Sequence, residues 1–551
     1  MAALLSTMKV GKKCLNANKS KPRSDRKTLS KNTNQQVQLM TESKERQAQV
    51  KISRRIFLAG GLGAAGSLFI GSINPEKVLA ATKKASFDVE ALRKAVTCDI
   101  SLPSDKDFKD KVYGGLWNRY HANRSPQVAV QVKTDADVIA AVKFAKANNM
   151  KVVVRGGGHN WCAPSLRNGG MMIDLTNMNK VISIDPVKKI AVCEPIISNR
   201  EIQQKLKPYN LAFPSGHCPQ VKLSGYLLSG GMSWNQGVWG HGAESVEKIE
   251  MVTADGELIV ADKDHNQDYY WAARGAGPGL FAVCLRYHLK LYDIPKAFTC
   301  SVYHYSMEQY KEVAQWINET APKLDPCVEL SLWMVTAPAE LAEKTKDQGG
   351  KVCMVTGTAF TDSQDNGKAA MALLDTCPVI SKCLSKSVNQ PSDFEGLFDA
   401  SGALWTENMR NQVEAMFSNT NPAEIFAATA EHFKKCPSPA TVFMYAVFTG
   451  PNVPTPPPKD TAFSMTGKLY GGPWTMWKDQ ADDAANLKWH KEMLTLLKPF
   501  TVGHYVAESD TVTYPEHAVH AYSKANWQKL AELRKKYDPS GVFFNFTDGL
   551  A

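Results

Sequence analysis

The chain has 551 residues, 44% hydrophobic and 22% charged, enough for more than one core and ordinary for a globular protein. Its formal charge of +11 belongs to the first 80 residues, which hold 15 Lys/Arg and 4 Asp/Glu and leave 50 of each for the remainder. That distribution, with no basic patch interleaved with aromatic residues, speaks against nucleic acid as a partner; the 12 cysteines, none in Cys-x-x-Cys spacing, speak against a structural zinc site.

Ser53-Arg54-Arg55-Ile56-Phe57-Leu58 followed by the Gly/Ala-rich run 59–73 reads as a twin-arginine export signal, with Val78-Leu79-Ala80 suited to a signal peptidase. The apolar run is too short and too glycine-rich for a stable membrane span; an uncleaved N-terminal anchor is the alternative. Residues 1–39 are polar and lysine-rich, and Met40 would give a signal of ordinary length. A plastid-type transit peptide is the other reading of this stretch. Residues 1–80 are expected to be a disordered or removed leader.

Beyond the leader, 86–97 reads as a short helix and 127–132 as a strand. Residues 135–149 read as an amphipathic helix capped by Asp135. A β-branched strand at 151–154 then runs into Arg155-Gly156-Gly157-Gly158-His159-Asn160. Glycines delivered by a strand let a backbone approach a bulky ligand closely. The loop lacks the Gly-x-Gly-x-x-Gly pattern and a Walker lysine, so the expected unit is a small α+β nucleotide-binding lobe and not a Rossmann domain. A hairpin at 182–194 and a helix at 200–207 follow, and Leu211-Ala212-Phe213 leads into Pro214-Ser215-Gly216-His217-Cys218-Pro219. Ser224, Gly225, Gly230 and Gly231 lie just downstream. Asp255-Gly256 marks a second hairpin, 249–260, and a strand at 285–292 closes the region.

Residues 296–504 alternate strand-like and helix-like stretches, with helices at 307–320, 367–374 and 422–435, a buried strand at 353–358 and a proline-rich loop at 450–460. The expectation is an antiparallel sheet with helices on one face. Trp405, Trp474 and Trp477 are candidates for stacking on a ring, although a tryptophan is more often core.

Taken as a pair, Arg155-Gly156-Gly157-Gly158-His159 and Gly216-His217-Cys218-Pro219-Gln220-Val221 resemble the berberine-bridge-enzyme-like flavoprotein oxidoreductases. The resemblance covers roughly 110–295 and 500–551, and includes Tyr270-Trp271 to Gly277 and the stretch from Tyr522 to the C-terminus. It implies an α+β, two-lobed FAD-binding fold of the PCMH (vanillyl-alcohol-oxidase-like) type. The implied division is 85–295 for the FAD-binding domain (core about 121–293), 296–504 for the substrate domain and 505–551 for a C-terminal segment packing on the first. FAD is then the cofactor, bonded through His159 and, as a second attachment, Cys218. The cofactor-binding set is Arg155, Gly156, Gly157, Gly158, His159, Asn160, Gly216, His217, Cys218, Val221, Ser224, Gly225, Gly230, Gly231 and Asn545. Lys222 and Ser229 stand where the family usually has glycine.

The implied reaction is hydride transfer from an alcohol, a sugar or a secondary-metabolite hydroxyl, to the flavin. A base must take the hydroxyl proton, and the candidates are Tyr505, Glu508 and Tyr522. Val221, three residues after the cysteine, is by resemblance the oxygen gate; a valine there goes with oxidases. The expected partners are a small-molecule alcohol, O2 or another electron acceptor, and the twin-arginine export machinery. The rival readings are a dehydrogenase with one flavin bond or none, a non-catalytic exported binding protein, and a metal site built from His159, Cys162, His217 and Cys218.

Overall fold

The computed structural model describes residues 87–454, 456–546 and 548; the twin-arginine stretch and the rest of the leader lie outside them. The order strand, helix, strand at the glycine loop becomes a four-stranded sheet, Asp99–Ser101, Val128–Gln131, Met171–Asp174 and Val152–Arg155 in spatial order. The last three strands are parallel, with helix Asp135–Ala147 on the crossover. That helix opens on Thr134, not on Asp135. The Thr134 hydroxyl accepts from the Asp137 N–H, and the Asp137 carboxylate returns the bond to the Thr134 N–H, a reciprocal capping box.

The C-terminal segment completes this sheet. After helix Lys524–Tyr537, the Asp538 carboxylate accepts from the N–H groups of Val542 and Phe543. The chain then pairs with Val152, whose N–H donates to Val542 O at 2.6 Å and whose carbonyl accepts from Phe544 N at 2.9 Å.

A five-stranded antiparallel sheet lies next in sequence, in the order Val181–Asp185, Ile190–Cys193, Ala282–Lys290, Val246–Thr253 and Leu258–Asp262. From Ala297 the chain builds one nine-stranded antiparallel sheet that runs to Gly503–His504. Its central strands are buried almost throughout, Leu469–Trp477 at every position, because both faces are covered. On one face Tyr303, Leu332, Met334 and Val355 pack with residues of helices Tyr310–Thr320, Pro422–Lys434 and Asp483–Leu497. The predicted helix at 307–320 begins with a 3-10 turn, Met307–Gln309. Helices do not keep to one face as expected: Phe394–Leu404 packs its Phe394, Leu397 and Phe398 against Phe298, Cys300 and Phe360, whose side chains point to the opposite face of the sheet.

Among the described residues no helix is long and apolar enough to cross a membrane, and the eleven described cysteines are free.

Candidate active site

The sheet face that carries Trp333, Tyr470 and Trp474 closes over the glycine loops around a cavity of about 630 Å³. Strand Val152–Arg155 delivers Gly156, Gly157, Gly158, His159 and Asn160 to its wall. Gly158 has φ of +65°, and a Cβ there would strike the Gly115 carbonyl; both facts require glycine. A Cβ on Gly156 or Gly157 would collide with the side chain of Ser224 or Lys222. The Ser224 hydroxyl lines the cavity, buried and without a hydrogen-bond partner. A wall of bare backbone with an unused buried hydroxyl suits a polar phosphate chain, which would satisfy that group.

His159 and Cys218 arrive on two different loops, with Nε2 and Sγ 3.3 Å apart. Trp117 stacks on the His159 ring at 4.3 Å between centroids, and Trp161 meets it edge-on at 5.8 Å. Burial lowers the pKa of the imidazole to about 4 and pushes that of the Cys218 thiol up to about 12. Both groups are therefore neutral at neutral pH. The imidazole keeps a nucleophilic lone pair, and the thiol lies within reach of His159 Nε2 and, at 3.4 Å, of Gln220 Oε1.

Gly216, His217, Val221 and Gly225 also line the cavity. His217 lies against Trp234, with Nε2 3.1 Å from Glu329 Oε2. Asn160 donates from Nδ2 to Ala507 O at 2.8 Å and so ties the glycine loop to the segment bearing Glu508.

Four of the expected cofactor residues stand back from the cavity. Arg155 is buried beneath the loop, bonded to Asp174 and, at 2.7 Å, to Val112 O; it fixes the strand end. Gly230 packs against Phe463, and Gly231 against Tyr226 and Gly242. Asn545 is exposed and turns its side-chain oxygen to its neighbour Phe546 N at 2.8 Å. Phe543 and Phe544 are the C-terminal residues that reach the cavity. The four groups of the proposed metal site do not converge either: Cys162 turns to Asn160 Oδ1 at 3.1 Å and His217 to Glu329.

The sheet wall is aromatic. Trp333, Tyr470 and Trp474 come from its strands, and Trp405 lies 5.4 Å from Trp474 between centroids. Trp477 is core instead, 1% exposed, donating from Nε1 to Asp483 Oδ1 at 2.7 Å. Glu329, Ser331 and Trp333 carry no motif. Their signal is the period-two alternation of strand Val328–Thr336, in which Leu332 and Met334 face the helices.

Tyr505 and Glu508 enter the cavity from the irregular stretch after strand Gly503–His504. The Tyr505 hydroxyl accepts from Met232 N at 3.4 Å, and burial pushes its pKa above the ordinary tyrosine value. The Glu508 carboxylate accepts from the Tyr470 hydroxyl; burial raises its pKa, opposed by that bond and by His217. Tyr522 is outside the cavity, where it donates to Gly275 O at 3.0 Å and packs on Trp527. On the sheet wall Glu329 and Glu508 are the only charged lining residues described; Lys222 and Arg167 line the other side.

Residues 126–262 match the family described as FAD binding domain. The chain is similar to the FAD-linked oxidoreductase nodO of Hypoxylon pulicicidum, 26% identical over 430 residues, which are 77% of this chain and 91% of that protein. It is also similar to a carbohydrate oxidase of Microdochium nivale, 27% identical over 295 residues, 53% of this chain and 57% of that one. Among solved structures, wild-type BBE-like 1 of Physcomitrella patens shares the fold with a TM-score of 0.70 at 17% identity, over 84% of this chain and 98% of that chain. The chain carries an FAD-binding domain and has the two-lobed fold of the berberine-bridge-like, PCMH-type proteins.

Proposed function

We propose that this chain is an exported FAD-dependent oxidoreductase that oxidises a small-molecule alcohol, a sugar or a secondary-metabolite hydroxyl, and passes the electrons to O2. The observation that carries this reading is the meeting of His159 Nε2 and Cys218 Sγ at 3.3 Å against a glycine-walled cavity in the FAD-binding region. When bound, FAD supplies the hydride acceptor.

His159, Ser224 and the backbone of Gly156–Gly158 are the groups to hold the cofactor. His159 is the first covalent tether, because burial keeps its imidazole neutral and nucleophilic. Cys218 would be the second attachment and a slower one, because burial keeps its thiol protonated and the neighbouring His159 ring, held neutral by burial, is a weak acceptor for that proton. Trp333, Trp405, Trp474 and Tyr470 orient an apolar ring and keep water out. Glu508 takes the hydroxyl proton. Its pKa is shifted upward, toward the range where a carboxylate serves as a base near neutral pH. Tyr505, shifted further from that range, stays protonated and orients the substrate. Val221 lines the same cavity, and its small side chain supports the oxidase reading; the signal at 53–58 supports export.

The thiol character of Cys218 and the presence of Lys222 favour one second reading, a dehydrogenase with flavin on His159 alone or without a covalent bond. Acid-denatured protein on a gel under ultraviolet light, with mass spectrometry of the peptides around His159 and Cys218, tests both. Flavin on both peptides is the expected result. Flavin on the His159 peptide alone moves the reading to the single-bond enzyme. A protein without any flavin after expression with ample FAD ends the redox reading and leaves a binding protein.

A further inference from the structure

Glu414 is a carboxylate 0% exposed, placed behind the cavity wall. It lies between strands Arg410–Val413 and Met416–Ser418, both paired with Leu469–Trp477, and the register sets it opposite Pro473. Proline brings no N–H to a ladder, so here the cross-strand bond runs one way, from Glu414 N to Pro473 O at 3.3 Å. The carboxylate turns to the next segment of chain instead. Its Oε1 accepts from His504 Nδ1 at 2.7 Å, and its Oε2 accepts from His517 Nδ1 at 3.0 Å and from the Asp510 N–H at 3.1 Å. The two imidazoles stack with centroids 4.0 Å apart and planes 15° apart.

The adjacent residue grips the same segment through its backbone. Ala415 O accepts from Tyr505 N at 3.0 Å and from Ser509 Oγ at 3.1 Å, and Ala415 N donates to Glu508 O at 3.1 Å. Thus the stretch that carries Tyr505 and Glu508, irregular from Tyr505 to Asp510, is fastened to Glu414 and Ala415 and to no regular ladder. His504 directly precedes Tyr505, so its ring position fixes where that tyrosine leaves the strand.

We propose that Glu414 is a positioning residue which, through His504 and His517, clamps the segment that presents Tyr505 and Glu508 to the cavity. This rests on the redox reading of the site given above. The groups around the carboxylate are consistent with it. His504 comes from the edge strand, His517 and Glu516 from helix Glu516–His520, Asp510 and Tyr514 from the stretch between, and His490 from helix Asp483–Leu497. Burial raises the Glu414 pKa, but the bonds and charges of His504 and His517 outweigh it; burial lowers that of His517, but Glu414, Glu516 and Asp510 shift it upward. The three side chains also place ligand atoms within 4.8 Å of one another, as a metal site would. Here, however, each carboxylate oxygen is already engaged by one imidazole nitrogen, a bond that a metal would have to replace.

The test compares full-length wild type with Glu414→Gln, Glu414→Asp and His517→Gln. Amide exchange by mass spectrometry is expected to quicken about tenfold for peptides covering 503–511 and to stay unchanged at 156–162. In flavin-loaded protein, the pH titration of the flavin absorption spectrum is expected to move by about one unit in Glu414→Gln, with partial recovery in Glu414→Asp. Exchange that rises evenly across the chain, or a flavin titration that stays in place while the melting temperature falls, reduces Glu414 to a structural residue and overturns the proposal. One equivalent of zinc in the purified wild type, lost in Glu414→Gln, overturns it as well. If the chain purifies without FAD, the redox reading fails separately, and the exchange measurement alone decides the clamp. His517→Gln, at a less buried position, carries the test should the Glu414 variants not fold.

Discussion

The two walls of the cavity are made of different material. Around His159 the wall is mostly backbone, where Gly156, Gly157 and Gly158 leave no room for a Cβ. Facing it, the sheet presents Trp333, Tyr470 and Trp474, joined by Trp405 from the end of helix Phe394–Leu404 and by Glu508 from the stretch after the last strand. A backbone wall recognises whatever has the shape and polarity of the cofactor. A side-chain wall can change its ligand with a few substitutions and leave the sheet intact. On the proposed function, the first wall would hold the cofactor and the second would set substrate choice.

The largest effect expected from either wall is at Glu508. Glu508→Gln should slow flavin reduction by about 10²–10⁴-fold without lowering flavin content. Stopped-flow reduction with a substrate from an oxygen-consumption screen measures this. Loss of flavin in that variant would instead place Glu508 with the cofactor wall and blur the division.

Next comes the support behind the sheet wall. Glu414→Ala leaves the buried His504 and the partly buried His517 without their acceptor and should cost about 3–5 kcal/mol in denaturant unfolding. The pH dependence has a definite sign. Hydrogen bonds from His504 and His517 outweigh burial and hold Glu414 down at about 2 in the folded chain. Its contribution is thus complete above the ordinary carboxylate range and is lost as pH falls from about 4.5 toward 2. Glu508 has the opposite sign: its pKa is raised by burial, so the folded state loses stability as pH rises through the raised value. Acid and alkaline unfolding of Glu414→Gln and Glu508→Gln should therefore diverge in opposite directions from wild type. Parallel curves would show that the two buried carboxylates do the same job.

On the cofactor wall, Gly158→Ala forces an alanine to φ of +65° against the Gly115 carbonyl. A loss of about 1–3 kcal/mol in thermal unfolding is expected, with reduced flavin occupancy. The smallest effect is at the rings. Trp474→Phe keeps an aromatic face and should raise KM by a few-fold, about 0.5–1.5 kcal/mol, with flavin content untouched. A change in flavin content there would mean that the cofactor reaches further along the sheet than the comparison of walls allows.

The sequence by itself determined the α+β fold and the glycine loops. Glycines after a β-branched strand, an amphipathic helix and an Asp-Gly hairpin are local signals, set by dihedral freedom and side-chain periodicity within a few residues, although the helix cap fell on Thr134 and not on Asp135. His159 and Cys218 were readable for the same reason, since each closes a short glycine-rich motif. The tertiary structure alone decided the remainder. It withdrew Arg155, Gly230, Gly231 and Asn545 from the cavity, moved Trp477 into the core and set Tyr522 aside. It added Glu329, Trp333 and Tyr470, and it joined Glu414 to His504 and His517 across 90 and 103 residues of chain. A side chain on a two-sided sheet meets its partners through strand order and register. Those depend on every strand that pairs before it, so no short stretch of sequence contains them.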